Sequence, residues 1–166
     1  MRTIPILLAV VVSVASASIP SSGLDTAAGI RGALPDSAFR INPAKGIVNT
    51  QPDFTTQNAN LANFPALAGA DVQTQIVRVF IRAGQSFLTH SHPRSSEALN
   101  LIRGVLDVSF TFEGSSNPRV VRNRLRAGES TVFPQGLVHS VRCVSKRNCM
   151  YVATFNSADP GFVLAQ

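Results

Sequence analysis

The sequence contains three histidines, and two of them, His90 and His92, stand one residue apart. On an extended strand, residues two apart project to the same side, so both imidazoles open onto one space. Glu97 follows five residues after His92, beyond Pro93, and His139 lies far along the chain after Pro134-Gln135-Gly136. If the strand carrying His139 borders the same space, three neutral nitrogens and one carboxylate oxygen converge. That donor set suits a borderline-to-hard divalent ion. The carboxylate lowers the net charge of the site and shifts its preference from copper towards Mn²⁺ or Fe²⁺, with Zn²⁺ as a further alternative. Four protein ligands on an octahedral ion leave two positions for water or a small bidentate acid. Taken alone, a His-x-His pair also fits two surface residues, and a single His139 also fits an ordinary core histidine.

The elements that must position these residues read as strands. Val77, Val79 and Ile81 alternate with Arg78, Phe80 and Arg82. Similar patterns cover Val105 to Phe112, Val120 to Leu125, Ser130 to Phe133, Val138 to Val144 and Met150 to Phe155. Gly84, Gly104, Gly114, Gly128 and Gly136 punctuate them. Short strands, regular turns and no helical period predict an antiparallel sandwich or barrel over residues 71–156. Residues 18–70 are rich in Pro, Gly, Asn and Ser and read as an extended arm with short strands. Its apolar residues, Phe39, Ile47, Val48, Phe54, Leu61, Phe64 and Leu67, are expected to pack on the main body. Residues 157–166 read as a short tail.

The first 17 residues form a separate unit. Met1-Arg2 supplies a positive start, Ile4 to Val14 an apolar run, and Ala15-Ser16-Ala17 the small residues of a cleavage site. This predicts a secretory signal peptide; the run is shorter than the ~20 residues that cross a bilayer. The expected protein is secreted, with no membrane partner.

The net charge is +6, mostly from arginine. Arg122, Arg124 and Arg126 alternate with Asn123 and Leu125, which sets the three arginines on one side of a strand. A solvated sheet face and contact with an acidic polysaccharide both fit this pattern. Nucleic acid is not expected, because no aromatic stacking motif accompanies the basic residues. In an oxidising compartment Cys143 and Cys149 are expected to pair across a hairpin; two unpaired thiols are the other reading.

The flanking residues carry a resemblance. Gly84, five residues, His90-Ser91-His92, four residues, Glu97, six residues, Gly104 is similar to the first motif of the type 1 cupins. Gly128, five residues, Pro134-Gln135-Gly136, two residues, His139 is similar to the second. The run His92-Pro93-Arg94-Ser95-Ser96-Glu97 resembles germins and the spherulin-like secreted cupins. The likeness extends over residues 39–155. It implies a single jelly-roll β-barrel, with Mn²⁺ bound by His90, His92, Glu97 and His139. It also implies superoxide dismutase or small-acid oxidase activity, or a non-enzymatic wall, matrix or spore-coat role, and a possible homo-oligomer through sheet faces. Val77 and Phe87 stand where oxalate-oxidising germins carry asparagines. An apolar pair donates nothing to a dianion, and each lost donor costs about 1–3 kcal/mol, so oxalate oxidation is disfavoured.

Overall fold

A computed structural model of the protein describes residues 34–60, 62–64, 66–67, 74–112 and 118–165. The expected signal peptide, residues 1–17, and the first part of the arm lie outside the described residues. Two short 3-10 turns, Asp36–Phe39 and Pro43–Lys45, precede eleven strands. These are β1 (Ile47–Thr50), β2 (Phe54–Ala59), β3 (Gln75–Ile81), β4 (His90–Ser91), β5 (Glu97–Arg103) and β6 (Val105–Thr111). They continue with β7 (Val120–Arg126), β8 (Ser130–Phe133), β9 (His139–Cys143), β10 (Cys149–Phe155) and β11 (Val163–Leu164).

The strands form two sheets, ordered β1-β2-β3-β10-β5-β8 and β11-β4-β9-β6-β7, and the strand pairings are antiparallel. Alternation decides which residues enter the space between them. Val77, Val79 and Ile81 of β3, Leu99 and Leu101 of β5, Leu106 and Val108 of β6, and Val141 of β9 are buried in one cluster. Burying each such side chain contributes about 1.5–3 kcal/mol, so this shared face is what holds the sheets together. The expected all-β barrel is the observed architecture.

The arm belongs to the larger sheet. β2 pairs along its length with β3, from Phe54↔Ile81 to Ala59↔Ile76, and Phe54 joins the core. Phe64 and Leu67 are buried too, whereas Phe39, Ile47 and Val48 remain exposed. β1 is an edge strand that pairs, among the described residues, with β2 alone, and its four residues are exposed. Leu61 lies outside the described residues.

Cys143 and Cys149 are joined, with their Cα atoms 5.7 Å apart. The bridge does not cross a hairpin, as the sequence suggested, because β9 and β10 lie in different sheets. It ties the sheets together at one end of the barrel. Gly104, with φ of +100°, turns the chain beside it; a Cβ there would stand 2.6 Å from Cys149 Sγ. At the other ends of β9 and β10 stand His139 and Phe155.

Candidate metal centre

Glu97 occupies the first position of β5, on the same inward side as Leu99 and Leu101. The buried row thus ends in a carboxylate where the barrel opens. His139 ends the inward row of β9 in the same way, above Val141 and Cys143. β4, only two residues long, is held between β9 through His90↔His139 and β11 through Leu164↔His90. The two sheets therefore present His90 and His139 on one side and Glu97 on the other. His92 lies just beyond β4, where its carbonyl accepts from Gly136 N–H at 2.9 Å.

The loop between His92 and Glu97 is fastened at several points. Arg94 donates to Asp159 Oδ1 at 2.7 Å, Ser95 Oγ to Asn156 Oδ1 at 2.6 Å, and Gln135 Nε2 to the Pro93 carbonyl at 2.9 Å. These bonds fix the five-residue step that lets a histidine after one strand and a glutamate on the next face one point.

His90, His92, Glu97 and His139 are all buried, and one ligand atom from each lies within 4.8 Å of the others. Each imidazole is oriented by a main-chain oxygen. His90 Nδ1 lies 2.7 Å from the Leu88 carbonyl, His92 Nδ1 2.6 Å from that of Gly161, and His139 Nδ1 3.0 Å from that of Leu137. A carbonyl only accepts, so each Nδ1 carries a hydrogen, and each ring turns its Nε2 inward, where it offers a lone pair whenever no proton occupies it. His90 Nε2 and His92 Nε2 face each other at 3.0 Å. Glu97 Oε2 lies 3.2 Å from His92 Nε2 and 3.3 Å from His139 Nε2. His139 Nε2 is buried with no well-formed hydrogen bond among the described residues. Electron-rich atoms packed this closely repel unless a cation or protons sit among them. The donor set and the outer carbonyl bonds together fit a divalent ion.

Phenylalanines wall this cluster. Phe133 stacks on His139 at 4.2 Å and 10°, Phe162 on His90 at 4.4 Å and 28°, and Phe155 meets His92 edge-on at 4.6 Å. Burial and the positive field of His139 hold His90 down to about 4, so it is a neutral ligand near pH 7. Burial pushes Glu97 up, but contacts with His139 and His92 outweigh it and leave the carboxyl at about 2. Burial, reinforced by the Glu97 charge, raises the Tyr151 hydroxyl well above its ordinary value, so it stays protonated.

The cluster opens into a cavity of about 420 Å³. Val77, Val79, Phe87 and Phe162 form an apolar wall, and Asn49, Gln51, Asn58 and Gln75 an uncharged polar one. Its charged lining residues are Glu97 and Asp159, both acidic. Val77 and Phe87, singled out from the sequence, both face this space. Two contributors were not legible in the sequence. Gly161 acts through its carbonyl, which any residue possesses, and Phe162 sits in what read as a tail.

A family model described as Cupin matches residues 40–166. The chain is 36% identical over 99 residues to Spherulin-1A of Physarum polycephalum, covering 60% of this chain and 39% of that protein. It is 33% identical over 111 residues to Germin-like protein 9-3 of Oryza sativa subsp. japonica, covering 67% and 50%. The chain thus spans half or less of these relatives. A solved oxalate oxidase structure superposes with a TM-score of 0.70 at 28% identity, covering 80% of this chain and 66% of that one. Among the described residues, no helix is long and apolar enough to cross a membrane.

Proposed function

Since the chain belongs to the cupin family, we propose that it is a secreted germin-like metalloprotein holding one Mn²⁺ ion, with oxidoreductase activity towards a small substrate. His90, His92, Glu97 and His139 are the ligands, and Fe²⁺ or Zn²⁺ are the alternative ions. The observation that carries this reading is the orientation of the histidines: three Nδ1 atoms bound to carbonyls, three Nε2 atoms turned towards one carboxylate. When bound, the ion supplies Lewis acidity and a change of oxidation state. The chain's own residues supply the rest. The carbonyls of Leu88, Gly161 and Leu137 hold the rings in register, Glu97 offsets positive charge, and Phe133, Phe155 and Phe162 keep bulk water from the ligands.

The cavity lining bears on the substrate. One neighbour in fold is an oxalate oxidase. Among the described residues a dianion finds no cationic side chain lining the cavity, and Val77 and Phe87 offer it no side-chain hydrogen bond. Superoxide, a small monoanion needing no dedicated donors, suits this space better than oxalate.

The test is elemental analysis and electron paramagnetic resonance on protein purified from its secreting host. About one manganese per chain, lost in His139→Ala together with superoxide dismutation, supports the proposal. A folded protein that takes up no divalent ion at micromolar concentrations overturns it.

A further inference from the structure

The outer face of the five-stranded sheet carries an arrangement that the metal centre does not use. Leu106, Val108, Leu125 and Val141 point into the core, so their neighbours along β6, β7 and β9 point out. The register sets these in two rows. Arg124, Asp107 and Arg142 lie side by side in one, and Arg122, Ser109 and Ser140 in the next. Together they line a shallow depression of about 630 Å³.

Its parts are not equivalent. Arg124 grips Asp107 with both arms of its guanidinium, at 2.7 and 2.8 Å, so these two charges satisfy each other. Arg122 and Arg142 have no ion-pair partner among the described residues. Ser109 Oγ and Ser140 Oγ lie 2.8 Å apart, a bond that consumes one hydroxyl hydrogen and leaves the other to donate outward. Among the described residues the depression therefore offers two planar cations outside any ion pair, beside an Asp107 carboxylate already held by Arg124, and a neutral donor. Arg126 continues the row on β7 but does not line the depression. Arg142, on a strand distant in sequence, completes the depression from β9, across Asp107 from Arg124 and diagonally across β6 from Arg122.

We propose that this depression binds an acidic polysaccharide, with a carboxylate or sulfate seated between Arg122 and Arg142 and sugar hydroxyls on the Ser109–Ser140 pair. Arginine matches such groups with two parallel hydrogen bonds. A flat sheet face accommodates an extended polymer. Among the described residues the lining contains no aromatic ring on which a nucleobase could stack, which separates this surface from a single-strand nucleic-acid platform. It lies outside the barrel, so altering it leaves the interior ligands in place.

The experiment is salt-gradient chromatography of the full chain on immobilised polygalacturonate, with duplex DNA resin in parallel. Arg122→Ala/Arg142→Ala is compared with Arg82→Ala, an exposed arginine elsewhere. Melting temperature and metal content serve as folding controls. The proposal expects the double variant to elute at lower salt, with the slope of log affinity against log salt reduced by up to about two. It expects Arg82→Ala to elute with the parent. Equal retention of parent and double variant, an equal loss in Arg82→Ala, or retention on DNA that matches or exceeds that on polygalacturonate each overturn it.

Discussion

His139 meets the most demanding conditions of any single residue here. Its ring is buried and stacked on Phe133, and its Nε2, with no well-formed hydrogen bond among the described residues, faces the Glu97 oxygen and the other two imidazoles. Removing the carboxylate charge at the centre should therefore cost more than removing packing. Glu97→Gln, similar in size, is expected to weaken manganese retention by at least tenfold, measured by equilibrium dialysis. The same residues predict acid sensitivity in the metal-free protein. His90 is depressed to about 4, so the unfolded chain takes up its proton first, and stability falls as pH drops from 6.5 towards 4. Glu97, depressed to about 2, contributes stability that is present above its ordinary value near 4.5 and is lost as pH falls from there towards 2. Each full shift corresponds to roughly 3 kcal/mol. Urea unfolding of chelator-treated protein between pH 7 and pH 3 should show a monotonic decline; stability that is flat or rises on acidification contradicts it. At this scale the four residues were legible, because imidazole and carboxylate are rare side chains and their spacing is printed in the sequence. Their carbonyl partners were not, since a main-chain oxygen leaves no trace in residue type.

Among the described strands, β4 and β11 are the shortest at two residues each, and β4 depends on its neighbours. The segment through β11 closes over it: Gly161 bonds His92, Phe162 stacks on His90, and Val163 pairs with Ser91. Gly161 has φ of +73°, and a Cβ there would stand 2.8 Å from Pro93 Cγ. Gly161→Ala should destabilise by about 1–3 kcal/mol and accelerate loss of the ion to a chelator. Phe162→Ala should speed that loss with little change in melting temperature, because Phe162 is half exposed. Strand legibility followed the alternation rule. β3, β6, β9 and β10 place apolar residues at every second position, and they were read correctly. β5 was not read as a strand, because its inward row begins with a glutamate and its outward side carries Ala98 and Ile102. Short strands were expected in the arm, but β2 was not located because Thr55, Thr56, Gln57 and Asn58 fill its middle; Thr56 and Asn58 belong to the cavity wall rather than to a loop.

For the whole molecule, one staple and one site sit at opposite ends of β9 and β10. Closing the loop from Cys143 to Cys149 should contribute about 2 kcal/mol through the unfolded chain, a figure set by the short loop. Cys143→Ser/Cys149→Ser should lower the melting temperature by several degrees and leave metal stoichiometry near one per chain. Coupled loss of the ion would show that the two ends are not independent.

The larger sheet has its own lesson in the position of β10, which is reached late in the sequence yet fills the slot between β3 and β5. Until that strand is synthesised, each neighbour presents a raw hydrogen-bonding border with its apolar side uncovered. Such borders invite pairing between molecules. Translation paused before Cys149 should therefore yield aggregation-prone chains, and renaturation from urea should be slow and concentration-sensitive, with a yield that falls as protein concentration rises.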